Sequence, residues 1–521
     1  MHSFTQPGEG FYNAACDLIG RNLDAGRGGK EAVRDETGST SYAELGDRID
    51  RFAAALIRLG VRQEERVLLC LLDTVDFPTA FLGAIKAGVV AVPVNSLLTA
   101  EDYRFMLRDS RARVLVVSAA LLAKLEPVLA DCPDLEHVIV SNGEAGGGEP
   151  GTHQDFAQLL EAETPGFQAA ETKADEICFW LYTSGTTGKP KGSVHLHASM
   201  IQTAELYAQP ILGIREDDVV YSAAKLFFAY GLGNGLTFPF SVGATAVLFS
   251  GRPTPDAVWD LLKREQPTIF YGVPTLFGIL LADENKPARE ELALRICTSA
   301  GEALPAELGK RWKAQTGVDI LDGIGSTEML HIFISNQPGD IRYGTTGKAV
   351  PGYEIRLIGD DGREVPQGEL GELQIKGPSS AIMYWNQREK SRDTFQGWWT
   401  RSGDKYQQDA DGYYVYCGRT DDMLKVGGIY VSPFEVEGAL ITHEAVLEAA
   451  VVGQADEEGL TKPKAFVVLK SGFAAADSLA EDLKSHVRSQ LAPFKYPRWV
   501  EFVEELPKTA TGKIQRFKLR G

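Results

Sequence analysis

Ser41 and Glu44 stand ahead of Leu45, Ile49, Phe52, Ala53 and Leu56, apolar positions that recur at helical spacing until Gly60. Serine followed three residues later by glutamate is a capping box, and a glycine past the last apolar position stops a helix, so the pattern predicts an amphipathic helix. An apolar run from Val67 to Leu72 follows, then a second helical stretch around Ala80 to Ala87 and a further run from Val89 to Val94. Another helix, from about Glu101 to Arg108, precedes Val114 to Ser118. Short apolar strands separated by helices argue for a parallel sheet covered on both faces, which makes the class α/β.

The texture changes from Gly418 onward. The polar, glycine-containing GRTDDMLKVGG is followed by the apolar stretch Ala445 to Val452, then Lys464 to Lys470, a helix around Leu479 to Leu491, and Trp499 to Val503. This reads as a small α+β domain. A charged turn with glycines on either side is where few contacts cross, which puts the boundary near Asp421 and divides the chain into 1–420 and 421–521. Gly143 to Gly151 reads as a glycine-rich surface loop, and no fixed-period repeat is visible.

The chain has 521 residues, 44% hydrophobic and 24% charged, enough to bury large cores. Its net charge of -18 disfavours diffuse attraction to nucleic acid or an anionic membrane, so an anionic ligand must be held by a local cluster of donors. Six cysteines without close spacing fit neither a disulfide framework nor a zinc site, and a reducing cytoplasm is expected. The start MHSFTQPGEG lacks the pattern of a signal peptide, and the most apolar segment, Ala80 to Val94, is broken by Lys86, Gly88 and Pro93. His195 and His197 alternate as in a strand, but with no third ligand nearby they read as pocket lining or core.

The strongest local signal is YTSGTTGKPKG, Tyr182 to Gly192, after the strand-like run Ile177 to Leu181. Glycines allow close backbone approach, hydroxyls and N–H groups donate, and the two lysines neutralise, which suits a loop wrapped around phosphates. It is not the Walker pattern, because only two residues separate Gly185 from Gly188 and no Ser or Thr follows Lys189. By composition alone, a solvated surface turn is as good a reading.

Together with SAGEALP (299–305), GIGSTE (323–328), RSGD (401–404), GRTDDMLKVGG (418–428) and PKTATGK (507–513), this loop resembles the ordered motif series of the adenylate-forming superfamily of acyl-CoA synthetases, adenylation domains and luciferases. More narrowly, AKLFFAYGLGN (224–234) and DGIGSTEMLHIF (322–333) resemble the benzoate-CoA ligase group. The resemblance implies a large N-terminal domain of β-sheets with surrounding helices and a small mobile C-terminal domain. It also implies ATP, Mg²⁺ and coenzyme A, with a small aromatic acid as the remaining substrate. No nucleic acid or membrane partner is expected, and a homodimer is allowed.

Residue by residue, the resemblance implies that Thr183, Ser184, Thr186, Thr187 and Lys189 cradle the outgoing pyrophosphate. Gly301, Glu302 and Ala303 match the segment packed along adenine, with Gly323 and Ile324 beside the base. Asp322 matches an acceptor for the adenine amino group, while Ile324 replaces an aromatic residue frequent in the family. Thr327 would donate to the α-phosphate and Glu328 would hold Mg²⁺, a hard cation suited to a carboxylate. Asp404 would accept from the ribose hydroxyls, with Arg419 near the ribose or phosphate. Asp421 matches the hinge, and Lys425, Gly427 and Gly428 match a loop along the pantetheine tunnel of coenzyme A. Lys513 matches the ammonium that offsets charge building on the transferring phosphoryl group. Phe228, Ala229, Tyr230, Gly325, His331 and Ile332 would surround the organic acid, a flat aromatic pocket of benzoate size.

Taken singly, these residues have plainer readings: core packing for FFAY, a helix cap for Thr327 and Glu328, a hairpin turn for 427–428 and a solvated charge for Lys513. The expected activity is ATP-dependent formation of an aroyl-AMP and then an aroyl-CoA. Benzoate, 4-hydroxybenzoate and 2-aminobenzoate all remain open as the acid, since a small substituent shifts preference by only about 1–3 kcal/mol. An aryl adenylating enzyme that loads a carrier protein and, from a different class, an ATP phosphotransferase are the alternatives.

Overall fold

The computed structural model describes residues 10–141, 153–184, 190–420, 422–426, 429–457, 460–492, 495–508 and 514–520. The proposed loop at Gly143–Gly151 lies outside them. The helix announced by Ser41 and Glu44 runs Tyr42–Arg58. Ser41 accepts from the Glu44 amide and the Glu44 carboxylate closes the box on the Ser41 amide, while Gly60 takes a left-handed φ of 78° beyond the end. The next helix, Asp76–Lys86, begins before the expected stretch. It is buried on almost every side, so amphipathic spacing could not announce it, and Pro78 falls within its first turn, where no intrahelical N–H is needed.

Two large sheets carry most of the chain. One runs Met383–Tyr384, Pro190–Leu196, Ile177–Ser184, Val90–Pro93, Arg66–Cys70, Val114–Ser118, His137–Ser141 and Gln154–Asp155 across its eight strands. From Ile177–Ser184 to Gln154–Asp155 the neighbours are parallel, as the alternating pattern required. The other edge is not: Ile177–Ser184 pairs antiparallel with Pro190–Leu196, which pairs antiparallel with Met383–Tyr384. Five residues, 185–189, separate the first two strands, and a link that short can join only antiparallel neighbours. The motif at 182–192 therefore begins and ends on antiparallel neighbours, with 185–189 outside the described residues.

The second large sheet orders Lys348–Ala349, Ile332–Ser335, Ile320–Gly325, Ile296–Ser299, Ile269–Gly272, Val219–Ser222, Thr245–Val247, Glu31–Asp35 and Gly38–Ser41. One continuous core, including Phe52, Phe81, Phe179, Tyr207, Leu236 and Phe333, lies between the two sheets. A third sheet is built on Trp399–Gln408, flanked by Gly371–Lys376 and Tyr414–Arg419.

Toward the C-terminus, Val446–Ala455 and Thr461–Leu469 pair antiparallel, and Trp499–Phe502 joins in parallel. The helices Pro433–Ile441 and Asp477–Gln490 pack on this sheet around Leu440, Val451, Val467 and Leu483. The α+β reading of this segment thus holds in strands and helix alike. Leu424–Val426 and Ile429–Val431 pair antiparallel on either side of 427–428, which lie outside the described residues. Among the described residues no helix is long and apolar enough to cross a membrane. All six cysteines are free thiols.

Candidate active site

The turn 326–331 connects two antiparallel neighbours, Ile320–Gly325 and Ile332–Ser335. It is pinned from three sides. His195, on Pro190–Leu196, places Nε2 2.7 Å from the Thr327 carbonyl, the Ala381 amide donates to the Glu328 carbonyl at 2.7 Å, and Ser379 Oγ donates to the Met329 carbonyl at 2.8 Å. Leu330 adopts a φ of 66°, a left-handed conformation that a side-chain-bearing residue holds only where its surroundings impose it. Thr327 and Glu328 therefore sit on a rigid turn, not at a helix cap.

His195 is fully buried and its ring stacks on Phe179 with centroids 5.3 Å apart. Burial lowers its pKa to about 4, so it is neutral, and Nε2 must carry the proton it gives to the Thr327 carbonyl. His197 does not continue the strand. It opens the helix His197–Thr203, and its Nδ1 accepts from the Ala14 amide. The core reading of both histidines holds, with the addition that His195 buttresses the site.

Tyr384 donates its hydroxyl to Glu328 Oε1 at 2.6 Å. Lys191 lies over the Tyr384 ring, 4.4 Å from its centroid, with Nζ 3.4 Å from the phenol oxygen. Desolvation pulls the Lys191 pKa below its ordinary value, with Glu328 acting in the opposite sense. Strand pairing explains the encounter: Met383–Tyr384 is the edge partner of Pro190–Leu196, which brings Lys191 and Tyr384 together. Motif reading missed Tyr384 because it lies in no motif and reaches Glu328 only through that pairing.

Asp322 is buried, and its Oδ1 has no hydrogen-bond partner. Burial holds its carboxyl well above the usual carboxylate range, and a ligand N–H donated to the unpartnered Oδ1 would favour the charged form again. Its neighbour Gly323 faces the Ile334 carbonyl and the Ile332 side chain so closely that an added Cβ would stand 3.0 Å from that oxygen. Ile324 is half-buried against the main core. Gly301 has a φ of 91° in the loop after Ile296–Ser299, and Glu302 accepts from Thr275 Oγ1 at 3.1 Å. Ala303 follows in the same loop. Asp404 and Arg419 face each other across paired strands, with Arg419 Nη1 3.2 Å from Asp404 Oδ1. Thr183 lies next to the end of the strand Ile177–Ser184 on the other sheet, paired with Lys191.

Of the residues expected around the acid, Phe228 precedes the short helix Ala229–Leu232, and Tyr230 Oη lies 2.5 Å from Thr298 Oγ1. His331 is enclosed by Tyr207, Tyr230 and Phe238, with ring centroids at 5.5, 5.5 and 4.4 Å. Burial lowers its pKa to about 3, Nε2 meets the Tyr230 carbonyl at 3.3 Å, and Nδ1 is left as a buried acceptor without a partner. Gly325 departs from the expected reason for a glycine. The place of its missing Cβ is taken by the His331 backbone, 2.7 Å away, and not by an open cavity. Ile332 is buried beside Gly323.

Thr186, Thr187, Lys189, Asp421, Gly427, Gly428 and Lys513 lie outside the described residues, as do the side chains of Ser184 and Lys425. Among the described residues no group of three or more His, Cys, Asp or Glu could hold a metal. A cation shared with nucleotide phosphates needs fewer protein ligands. Glu328 fits that case, because Tyr384 engages Oε1 and Oε2 is the oxygen left for a hard cation.

Residues 21–385 match the AMP-binding enzyme family, and residues 435–513 match the AMP-binding enzyme C-terminal domain. A benzoate-CoA ligase of Thauera aromatica is 63% identical over 511 residues, covering 98% of this chain and 96% of that protein. The crystal structure of a benzoate CoA ligase from Burkholderia xenovorans LB400 superimposes with a TM-score of 0.91 at 57% identity, covering 98% of this chain and 100% of the other. The anthranilate CoA ligase AuaEII in complex with anthranoyl-AMP gives a TM-score of 0.92 at 46% identity, over 98% of this chain and 96% of that one. A rigid turn carrying Thr327 and Glu328, a buried acceptor at Asp322 and this full-length likeness agree: the chain belongs to the AMP-binding enzyme family, in the benzoate-CoA ligase group of the adenylate-forming superfamily.

Proposed function

We infer that this chain is a benzoate-CoA ligase, an acid-thiol ligase that forms AMP. The observation carrying this reading is its 63% identity, over nearly the whole length, to a ligase of that activity. The benzoate carboxylate attacks the α-phosphorus of ATP and expels pyrophosphate, leaving benzoyl-AMP. The thiol of coenzyme A then attacks the acyl carbon and expels AMP. Asp322 accepts from the adenine amino group along the Gly301–Ala303 loop, Asp404 accepts from the ribose hydroxyls, and Thr327 donates to the α-phosphate. Thr183, Ser184, Thr186, Thr187 and Lys189 hold the leaving pyrophosphate. Glu328 would hold Mg²⁺, a hard cation that would offset phosphate charge.

Phe228, Ala229, Tyr230, Gly325, His331 and Ile332 receive the aromatic ring. A second acid, 2-aminobenzoate, is favoured by one observation: His331 Nδ1 is a neutral, buried acceptor that a ring amine could satisfy. Free thiols at all six cysteines support a cytoplasmic setting. Coenzyme A-dependent AMP release, screened over substituted benzoates, cinnamates and short fatty acids, tests the reading. Benzoate should lead and yield AMP with pyrophosphate. ADP with phosphate, or a fatty acid as best substrate, would reject it.

Lys513 belongs to the small C-terminal unit and must reach the nucleotide for the first step, then withdraw so that the thiol can approach. We propose Asp421 as the hinge of that swing, with residues 425–428 lining the thiol's path afterwards. Proline at 421 fixes φ and removes an N–H, so Asp421→Pro should hold one orientation. Pyrophosphate exchange should stay within about threefold while thioester formation from supplied benzoyl-AMP falls about a hundredfold. Equal loss in both half-reactions would argue against rotation.

A further inference from the structure

Between the two large sheets lies a charged pair that the mechanism does not use. Asp73 follows the strand Arg66–Cys70, and Lys225 follows the strand Val219–Ser222 of the other sheet. Both are largely withdrawn from water, with side-chain exposures of 5% for Asp73 and 19% for Lys225. The Asp73 carboxylate takes the Leu226 amide at 3.3 Å on Oδ1 and lies 4.0 Å from Lys225 Nζ on Oδ2. The same ammonium donates to the carbonyls of Phe249 and, at 2.8 Å, Gly251. One lysine thus ties the loop after the strand Thr245–Val247, the Asp73 loop and its own segment into a single knot.

What the knot holds is the start of the 228–230 segment. The Phe228 amide donates to the Lys225 carbonyl at 3.0 Å. The helix that follows presses so closely on this turn that a Cβ on Gly231 would stand 2.0 Å from the Lys225 carbonyl oxygen. Displacing Lys225 must therefore displace Phe228 and Tyr230 with it. Breaking a buried ion pair by neutralising one partner leaves the other charge uncompensated, so the position of the knot depends on the Asp73 charge.

Resting on the reading that residues 228–230 line the acid pocket, we propose that Asp73 is a positioning residue for that pocket, acting through Lys225 and the Leu226 amide to set where Phe228 and Tyr230 stand. It touches no substrate. The groups facing it are Lys225 and the Leu226 N–H, which favour its charge, and Glu36 and Tyr221. Burial raises its pKa to about 6 in spite of Lys225, so it takes up a proton as the pH falls through that value and Lys225 then loses its counter-charge. His195 and His331, held near 4 and 3, do not titrate there.

The test is steady-state pyrophosphate exchange, which omits coenzyme A and its thiol, for the full chain and for Asp73→Asn, Lys225→Met and Phe228→Ala. Asp73→Asn should raise KM for benzoate about tenfold and leave KM for ATP within about twofold. In the unaltered protein KM for benzoate should rise as the pH drops below about 6, and in Asp73→Asn that limb should be flat. Should Asp73→Asn fail to fold, Lys225→Met must show the same benzoate-only rise. Unchanged constants, an equal rise for benzoate and ATP, or an acid limb that survives in Asp73→Asn would overturn the proposal. If Phe228→Ala leaves KM for benzoate unaltered, the pocket reading falls and takes the proposal with it. If Phe228→Ala raises it and Asp73→Asn does not, the proposal alone falls.

Discussion

Lys513→Ala should lower benzoate-dependent pyrophosphate exchange by about a thousandfold while leaving thioester formation from supplied benzoyl-AMP within about threefold. The asymmetry follows from charge. In the first half-reaction a carboxylate approaches a phosphate that is already anionic, and negative charge builds on the transferring group. A fixed ammonium in a water-poor cleft stabilises that state far more than it could in bulk solvent. In the second half-reaction the acyl carbon is the electrophile and AMP departs with its own charge, so an ammonium at this place has little left to do. Arginine is no substitute, because its planar fork replaces a compact point charge. Exchange that survives in Lys513→Ala would remove this residue from the chemistry and return it to the surface role a tail lysine usually has.

Glu328→Gln should cut the same exchange by about a hundredfold and raise the Mg²⁺ concentration needed for half-maximal rate. The amide keeps the shape and can still accept from Tyr384, so the turn 326–331 stays in place and only the charge is removed. Tyr384→Phe separates position from charge. It deletes the 2.6 Å hydrogen bond to Oε1 and leaves the carboxylate anionic. A hydrogen bond to a charged group contributes about 1.5–3 kcal/mol, and even partial loss of that orientation amounts to a tenfold or so weakening of ATP binding. Calorimetric titration of ATP with and without Mg²⁺ checks both variants. The defect of Tyr384→Phe should be confined to the Mg²⁺ titration, whereas an equal defect without the ion would make Tyr384 a packing residue only.

Much of this was legible along the chain. Ser41, Glu44 and Gly60 bound a helix by local hydrogen bonding and a left-handed glycine, interactions that close within a few residues. Val114–Ser118 is buried throughout, and a short continuous apolar run between polar segments announces such a strand without help from its neighbours. The motifs at 182–192, 299–305, 323–328 and 401–404 pointed to one nucleotide chemistry because their order resembles the motif series of a known family, where composition alone left a solvated turn equally good.

What the pattern concealed has two causes, local ambiguity and contacts that the folded chain alone creates. His197 looked like the alternate position of a strand but opens a helix, since nothing local separates a strand's last residue from a helix's first. Gly325 looked like room for a substrate, yet its missing side chain makes room for the His331 backbone at the end of the turn 326–331. Lys191, Tyr384 and Glu328 meet through the edge pairing of two strands about 190 residues apart in sequence. Asp73 and Lys225 meet between sheets. The sequence by itself determined the capped helix Tyr42–Arg58, the short buried strands that follow it and the α/β class, because those depend on interactions among near neighbours, and its motif series resembled one family's. Only the tertiary structure decided which side chain orients Glu328 and which charge braces the Phe228 segment, because each rests on contacts between distant segments that exist only once the sheets are assembled.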